Sequence, residues 1–222
     1  MTLSNPLAKT FLDIIAEHRL VPVIELDSAT DAPFLAEALL KGGLPVIELT
    51  FRTGAAAEAI ATVRKQFPEM LVGAGTIVVK EQLQQALDAG AQFVVSPGFD
   101  PELTRTVVEK GVAYLPGVAT ASELQGALAL GVPACKFFPA EEIGGARLLR
   151  ILVATFRAFS PAFVPTGGIN LNNLESWLLE PSVIAVGGSW LAARQWIKDK
   201  DWAAVRESVA TSVRIAAATK PA

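Results

Sequence analysis

The chain has 222 residues, a formal net charge of -3 and 51% hydrophobic residues. These values are typical of one globular domain with a large apolar core, which we expect to span residues 1–222. The slightly acidic balance, with no run of lysines and arginines, argues against nucleic acid or an anionic membrane surface as a partner and favours a small molecule.

Residues for metal binding and redox chemistry are scarce. One cysteine, Cys135, and one histidine, His18, leave no internal disulfide and no cysteine–histidine cluster for zinc or iron. We therefore expect chemistry that needs no metal ion.

The first 20 residues, MTLSNPLAKTFLDIIAEHRL, mix apolar and charged positions. Asn5, Pro6, Asp13 and Glu17 interrupt the continuous apolar run that a signal peptide or a membrane span requires. We interpret the segment as an N-terminal capping helix of a cytoplasmic protein.

Eight short β-rich runs alternate with helical patterns along the rest of the chain, which is typical of a parallel sheet. Eight parallel strands close a barrel, so the predicted fold class is α/β, a (β/α)8 TIM barrel with an N-terminal capping helix. An open doubly wound sheet is the alternative, but it usually carries a glycine fingerprint after the first strand, where this chain has DSAT. The predicted strands are 21–26, 46–51, 71–76, 93–96, 113–116, 134–138, 162–166 and 183–186.

Helical patterns fill the intervals between the predicted strands, and several end in a glycine that is typical of a helix C-terminal cap. The predicted helices include 32–41, 80–89, 122–130 and 202–218, and the capping glycines are Gly42, Gly90, Gly111 and Gly131.

Polar residues fall where the second predicted strand meets its loop. Period-two alternation in VIELTFR at 46–52 places Glu48, Thr50 and Arg52 on one face. The opposite face is wholly apolar and has to contact the helices. The polar face is therefore predicted to look into the mouth of the barrel, where such folds place their chemistry.

The same alternation places Lys136 on the inward face of the sixth predicted strand, within CKFFPAEEIGG at 135–145. Its apolar neighbours disfavour the charged ammonium form, and a neutral amine can attack a carbonyl carbon to form a Schiff base. A lysine that only snorkels, or that pairs with Glu141 or Glu142, is the alternative. Glu48 on a facing strand favours catalysis, because making and breaking a Schiff base requires an acid-base group.

Two further side chains at the mouth suit an anionic ligand. Arg52 presents a fork of donors that fits a carboxylate, and Thr76 ends VGAGT at 72–76 with a hydroxyl group. Each also has an ordinary structural explanation. Arg52 could be a solvated arginine in a loop, and Thr76 could simply end a strand.

Paired glycines follow the last two predicted strands, in TGG at 166–168 and GGS at 187–189. Loops at these two positions of a barrel commonly bind phosphate through backbone N–H groups and the N-terminus of a short helix, here predicted at 189–192. Two tight turns are the alternative. The double occurrence favours a phosphorylated carbonyl substrate.

Taken together, these motifs resemble one known family. GLPVIELTFR at 43–52 matches a signature in which a glycine precedes E-[LIV]-T-[LF]-R, and KFFPAEEIG at 136–144 matches K-[LF]-F-P-[SA]-x-x-x-G. The segments VGAGT, SPG, LPGV, PTGGI and GGSWL fall where the family has them. Over about residues 10–215, the chain resembles the class I aldolases that cleave 2-keto-3-deoxy-6-phosphogluconate and 4-hydroxy-2-oxoglutarate.

The resemblance implies a role for each candidate residue. Lys136 would form the Schiff base, Glu48 would be the general acid-base group, and Arg52 and Thr76 would hold the pyruvate carboxylate. The pocket would be lined by Pro97 and Phe138, and the phosphate and hydroxyl groups would be held by Thr166, Gly167, Gly168, Gly187, Gly188 and Ser189. The resemblance also implies a homotrimer and no cofactor, since the iminium serves as the electron sink.

The expected reaction cleaves 2-keto-3-deoxy-6-phosphogluconate to pyruvate and glyceraldehyde 3-phosphate, a lyase step of the Entner–Doudoroff pathway. Cleavage of 4-hydroxy-2-oxoglutarate or of 2-keto-3-deoxy-6-phosphogalactonate stays open, as does oxaloacetate decarboxylation, because the gluconate and galactonate substrates differ at one hydroxyl group. A pyridoxal-phosphate enzyme and a non-catalytic phosphate-binding barrel are alternatives from other classes.

Two residues depart from the family pattern. Cys135 stands where a larger apolar residue is usual, which should leave the chemistry of Lys136 intact. Glu25, at the end of the first predicted strand, stands where members often have an apolar or basic residue. Pointing inward, it would add negative charge near an anionic substrate; the sequence is compatible with either direction.

Overall fold

The computed structural model describes the backbone of residues 6–219 and the side chains of residues 11–219. Strands and helices alternate along this range. The strands are β1 (Leu20–Ile24), β2 (Val46–Thr50), β3 (Leu71–Gly75), β4 (Phe93–Val95), β5 (Ala113–Leu115), β6 (Gly117–Val118), β7 (Ala134–Phe137), β8 (Ala162–Pro165) and β9 (Val186–Gly188). The helices are α1 (Pro6–His18), α2 (Ala32–Lys41), α3 (Ala56–Gln66), α4 (Lys80–Asp88), α5 (Pro101–Glu109), α6 (Ala121–Ala129), α7 (Gly145–Thr155), α8 (Leu174–Leu178), α9 (Arg194–Lys198) and α10 (Trp202–Ala218).

All strand pairs are parallel, which confirms the predicted α/β class. The strands form two sheets rather than one continuous sheet of eight, with six strands in the order β5-β4-β3-β2-β1-β9 and three in the order β6-β7-β8. The sheets separate at Pro116, between β5 and β6, because proline has no N–H to donate to a ladder. Two isolated parallel bridges, Phe163 to Val183 and Thr166 to Gly187, lie between the other ends of the two sheets.

Seven of the predicted strands overlap strands of these sheets closely, and the last one is displaced toward the C-terminus. The apolar run at 183–186 predicts the strand there, whereas β9 covers Val186–Gly188. The ladder with β1, from the pair Leu20–Val186 to the pair Pro22–Gly188, carries the strand into the glycines. Neighbouring strands thus override the low β-propensity of glycine.

Side-chain hydrogen bonds cap the start of some of the helices. Thr120 and Glu123 form a capping box at the start of α6, and the Asp100 carboxylate accepts from the Leu103 N–H at the start of α5. After α2 the left-handed position belongs to Gly43, with φ +89°, and not to the predicted Gly42. The range of α2 itself matches the prediction residue for residue.

The expected N-terminal helix is present as α1, although residues 1–5 of the predicted segment lie outside the described range. The Phe11 ring of α1 stacks on the Phe93 ring at the start of β4, with 4.6 Å between their centroids. Phe93 occupies the space that Gly73 leaves open, since a Cβ atom on Gly73 would lie 2.2 Å from its ring. Large side chains thus fill the interior near the strand N-termini. No helix in the described part of the chain has the length and apolar character needed to cross a membrane.

Candidate active site

Lys136 of β7 and Glu48 of β2 meet in the interior, although their strands belong to different sheets. The Nζ atom of Lys136 lies 3.7 Å from Oε1 of Glu48, and the two side chains are only 5% and 3% exposed. The two side chains therefore face one common interior, as the alternation of both strands predicts. Such a distance is an ion-pair contact that lies beyond hydrogen-bond range.

Burial has a direct effect on the carboxyl group of Glu48. It raises the pKa of Glu48, because desolvation penalises the charged form, while the positive charges of Lys136 and Arg52 act in the opposite direction. Within the described residues, Oε1 of Glu48 has no hydrogen-bond partner. A buried carboxyl group with a raised pKa and an unbonded oxygen is suited to exchange a proton with a bound substrate.

Two glycines on the strands next to the pair leave no room for a side chain of their own. A Cβ atom on Gly75, which pairs with Thr50 in the ladder, would lie 2.1 Å from Oε1 of Glu48. Gly117 is the ladder partner of Lys136, and a Cβ atom there would lie 2.1 Å from the carbonyl oxygen of Pro97. Side chains at either position would push into the site.

The two predicted pocket residues lie near Lys136. The Phe138 ring is 5.3 Å from Nζ, within the range of a cation–π contact. Pro97 packs its carbonyl group against Gly117, beside the backbone of β7. Both residues are half-buried.

Thr76 follows Gly75 at the end of β3 and has a left-handed backbone, with φ +58°. This conformation is unusual for a β-branched residue, and strained backbones of this kind cluster at functional sites. The structure thus places Thr76 directly after the glycine that contacts Glu48.

Arg52 and Glu25 lie at the same end of the sheet. Val23 is the ladder partner of Glu48, so Glu25, two residues further along, continues the inward-facing row. Nη1 of Arg52 is 3.7 Å from Oε2 of Glu25. The side chain of Glu25 therefore points toward the mouth, a direction that the sequence alone does not determine.

A second arginine, which the sequence analysis missed, completes this group. Nη1 of Arg194 lies 2.9 Å from Oε1 of Glu25, and its Nη2 donates to Oδ1 of Asp27 at 2.7 Å. Arg194 belongs to no motif and stands far from Glu25 along the chain. Only the pairing of β9 with β1 brings the two segments together.

The two glycine-rich loops lie side by side. Thr166 and Gly187 form a bridge, and a Cβ atom on Gly187 would be 2.4 Å from Oγ1 of Thr166. Gly167 and Gly168 have φ values of +103° and +71°, which favour glycine strongly. The Ala140 N–H donates to the Thr166 carbonyl at 2.8 Å, so the loop after Lys136 is tied to TGG.

Glu141 holds this loop in place. It does not form the ion pair with Lys136 that was one of the alternative explanations of the lysine. Its Oε1 accepts from Nε1 of Trp177 at 2.6 Å and from Nδ2 of Asn173 at 3.3 Å. Nδ2 of Asn173 also contacts the Gly168 carbonyl oxygen at 3.2 Å. Glu141 is thus a support for the TGG turn that its motif did not reveal.

The GGS segment is less regular than the sequence predicts. Ser189 is exposed, and the predicted short helix after it is a single 3-10 turn, Trp190–Ala192. A Cβ atom on Gly188 would lie 1.9 Å from the Trp190 ring, so a side chain there is excluded.

Cys135 precedes Lys136 in the sequence but takes no part in the candidate site. Cys135 is 1% exposed and faces away from Lys136 along β7. Burial raises the pKa of its thiol to about 12, which makes it a poor nucleophile at neutral pH. Among the described residues, no group of three or more histidine, cysteine, aspartate or glutamate side chains is arranged to hold a metal ion.

A buried amine beside a buried carboxyl group, at the loop end of parallel strands, defines an enzyme site for carbonyl chemistry. Comparison with known proteins identifies the same kind of enzyme. The model of the KDPG and KHG aldolase family, named for 2-keto-3-deoxy-6-phosphogluconate and 4-hydroxy-2-oxoglutarate, matches residues 12–208. This chain therefore belongs to that family of aldolases. The predicted enzyme class, a lyase that works through a Schiff base, is confirmed.

Individual relatives cover most of the chain. The 2-dehydro-3-deoxy-phosphogluconate aldolase of Treponema pallidum is 45% identical over 88% of this chain and 92% of its own length. The KHG/KDPG aldolase of Escherichia coli is 38% identical over 85% of this chain and 88% of its own. The structure of a KDPG aldolase from Legionella pneumophila, with pyruvate captured as a covalent carbinolamine, aligns with a TM-score of 0.87 at 38% identity, over 90% of this chain and 97% of that one.

Proposed function

We propose that this protein cleaves 2-keto-3-deoxy-6-phosphogluconate to pyruvate and glyceraldehyde 3-phosphate, with Lys136 as the Schiff-base residue and Glu48 as the acid-base group. The contact that carries the proposal is the buried pair itself, with Nζ and Oε1 3.7 Å apart. The relatives named for this substrate support it.

The first half of the reaction forms the imine. The Nζ atom of Lys136, once it has lost its extra proton, attacks the C2 carbonyl carbon of the substrate and gives a carbinolamine. Loss of water then requires protonation of the C2 oxygen, and Glu48, whose pKa is raised by burial, is placed to supply that proton. The resulting iminium carries the positive charge that draws electrons toward C2.

The second half breaks the C3–C4 bond. Glu48, now ionised, accepts the proton of the C4 hydroxyl group, directly or through one water molecule, as substrate C4 becomes the aldehyde carbon of glyceraldehyde 3-phosphate. The bonding electrons move to C3 and neutralise the iminium as an enamine. The enamine takes a proton at C3, and water hydrolyses the new iminium to pyruvate and free Lys136.

The carboxylate of the substrate is assigned to Arg52 and Thr76. Arg52 is 46% exposed at the mouth, and its guanidinium fork matches the geometry of a carboxylate. Thr76 follows Gly75, which abuts Glu48, and its hydroxyl group can donate to the same carboxylate. Both residues therefore hold the end of the substrate that becomes pyruvate.

The phosphate end is assigned to the two glycine-rich loops. Gly167 and Gly168 turn the backbone through left-handed conformations, and successive N–H groups in such turns bind anions. Gly187, Gly188 and Ser189 lie in the neighbouring loop, which the bridge between Thr166 and Gly187 holds in place. Thr166 and Ser189 would contact substrate hydroxyl groups.

We further propose that the two sheets close into one (β/α)8 barrel, with all 222 residues in a single domain. The distance between Lys136 and Glu48 supports closure, because the two residues belong to different sheets and still meet across one interior. The isolated bridges between β8 and the β9 region support closure at one seam, and the short interruption at Pro116 supports it at the other.

We also propose that the protein is a homotrimer and that it is located in the cytoplasm. The family resemblance alone supports these two points. Light scattering on the purified protein measures its mass directly. A monomer or dimer across the working concentration range would contradict the trimer.

Cleavage of 4-hydroxy-2-oxoglutarate is the second candidate activity, and the name of the Escherichia coli relative supports it. This substrate shares the carboxylate, the C2 carbonyl and the C4 hydroxyl group, so Lys136, Glu48 and Arg52 can serve both reactions. The substrates differ beyond C4, where 4-hydroxy-2-oxoglutarate has a second carboxylate in place of the C5 hydroxyl group and the phosphate that are assigned to the glycine loops.

Borohydride reduction in the presence of pyruvate tests the proposal. The reductant should fix pyruvate covalently on Lys136, inactivate the enzyme and leave a label that peptide mass spectrometry assigns to that residue. Lys136→Met should take up no label and should not release pyruvate from 2-keto-3-deoxy-6-phosphogluconate. A label on Lys110 or another lysine, or turnover by the variant, would overturn the assignment.

A further inference from the structure

A cluster of charged residues surrounds Arg52 at the mouth, and the proposed cleavage reaction gives no role to its other members. We call it the mouth cluster, and it consists of Glu25, Asp27, Arg52, Arg194 and Lys198. Glu25 lies between two arginines, 2.9 Å from Arg194 and 3.7 Å from Arg52. The shorter contact shows that the charge of Glu25 is mainly committed to Arg194.

Asp27 fixes Arg194 in this position from the other side. Nη2 of Arg194 donates to Oδ1 of Asp27 at 2.7 Å, and this hydrogen bond lowers the pKa of Asp27. Lys198, one turn further along α9, lies 4.0 Å from Oδ2 of the same carboxylate. Arg194 therefore bridges two carboxylates at the end of β1, and both of its Nη atoms are engaged.

We propose that Arg194 is a positioning residue for substrate binding, because by pairing with Glu25 it keeps this carboxylate away from Arg52 and leaves the Arg52 guanidinium to the substrate. The inference rests on the proposed function, since it takes Arg52 as the group that binds the carboxylate of the 2-keto acid. Family members with an apolar or basic residue in place of Glu25 would not need such a device.

The physical reason is competition for one guanidinium group. Carboxylates favour a close, two-pronged contact with a guanidinium, and Glu25 has only to move in from 3.7 Å to make it with Arg52. Without Arg194, the uncompensated Glu25 would occupy the donors that the substrate carboxylate requires. Its negative charge would also oppose the approach of a substrate with two anionic ends.

A double-mutant cycle with pyruvate as the probe tests the proposal, because pyruvate carries the carboxylate and no phosphate. The measured quantity is the pyruvate concentration that gives half-maximal borohydride labelling of Lys136. Arg194→Gln should raise it about threefold to fivefold, the upper part of the range for a partly exposed ion pair. In a Glu25→Gln background the same substitution should change it by less than about twofold, since no competing carboxylate remains.

Two further variants separate this effect from a loss of charge or of folding. Lys80→Gln removes one positive charge from the first position of α4, where Lys80 faces Glu102 rather than Glu25, and it should leave the half-maximal concentration unchanged. Arg194→Lys keeps the charge beside Glu25 and should stay close to the unsubstituted protein. For aldol substrates, the effect of Arg194→Gln should appear in KM and not in kcat.

An effect of Arg194→Gln that is equally large in the Glu25→Gln background would overturn the proposal, as would no effect or tighter binding. Arg52→Ala separates the role of Arg194 from the assignment of Arg52 to the substrate carboxylate. If Arg52→Ala weakens pyruvate labelling and Arg194→Gln does not, only the role of Arg194 fails. If Arg52→Ala leaves labelling unchanged, the carboxylate assignment in the proposed function fails with it.

Discussion

A Cβ atom on Gly75 would lie 2.1 Å from Oε1 of Glu48 and 2.7 Å from its carboxyl carbon, so the absence of a side chain at Gly75 gives the acid-base group its place. Glu48 and Gly75 lie on neighbouring strands, because β2 and β3 pair along their whole length. Glu48 extends into the interior over Gly75 of β3.

Gly75→Ala should therefore displace the Glu48 carboxyl group. Misplacement of a catalytic group by about 1 Å can cost on the order of 10²-fold in rate, so we expect kcat to fall by that order while KM changes little. Gly54→Ala is the matched control, because a Cβ atom there meets nothing within 4 Å. Equal activity of the two variants in steady-state assays would show that Glu48 tolerates the displacement.

Glu48→Gln should chiefly lower kcat, since the amide cannot exchange a proton. General acid-base groups typically contribute about 10² to 10⁴-fold. Pyruvate labelling at Lys136 under long incubation should still occur, because the amine is retained. A variant with unchanged kcat would remove Glu48 from the mechanism.

The raised pKa of Glu48 has a consequence for the pH profile. A carboxyl group with a raised pKa gains its proton at a higher pH than an ordinary glutamate, whose pKa is about 4.3. In the proposed mechanism the free enzyme carries the proton that Glu48 gives to the C2 oxygen, so kcat/KM should fall as pH increases through that raised value. This alkaline limb should be absent from the residual activity of Glu48→Gln, and a limb of unchanged shape there would assign it to another group.

The sequence predicts the pair of Lys136 and Glu48 because alternation along a strand is local information. It predicts seven of the eight strands closely for the same reason. The mouth cluster is different, since nothing near Arg194 in the chain marks it as a partner of Glu25. Its position depends on the ladder between β9 and β1, a contact between distant segments.

Glu141 is a second residue whose partners the sequence analysis did not predict. Its motif places it near Lys136, and an ion pair between the two is a reasonable local hypothesis. In the fold, its carboxylate accepts hydrogen bonds from Trp177 and Asn173. The direction of a loop side chain depends on partners from another loop, which motif spacing does not encode.

Cys135 should be unreactive in the folded protein. Burial raises the pKa of its thiol to about 12, so hardly any thiolate forms at pH 8. Iodoacetamide should leave the native protein unlabelled and active, and should label Cys135 once guanidinium unfolds the chain. Rapid labelling of the native protein, measured by intact mass, would show that β7 opens on the timescale of the reaction.

The last prediction concerns the loop assigned to the phosphate. Gly168→Ala introduces a Cβ atom 2.6 Å from Cβ of Glu141, at a residue with φ +71°. The TGG turn has to shift, while Lys136, Glu48 and Arg52 keep their surroundings. We expect kcat/KM for 2-keto-3-deoxy-6-phosphogluconate to fall about tenfold or more relative to 4-hydroxy-2-oxoglutarate, since a charge-assisted hydrogen bond contributes about 1.5 to 3 kcal/mol.

Gly131→Ala separates this effect from backbone strain. Gly131 has a similar φ of +79°, but a Cβ atom there meets nothing within 4 Å, and the residue follows α6, away from both glycine-rich loops. Both variants should lose comparable stability from the left-handed backbone, about 1 to 2 kcal/mol, which thermal unfolding measures. Only Gly168→Ala should change the ratio of kcat/KM between the two substrates. A ratio that stays constant in a folded Gly168→Ala protein would mean that the TGG turn is structural and that the phosphate binds elsewhere.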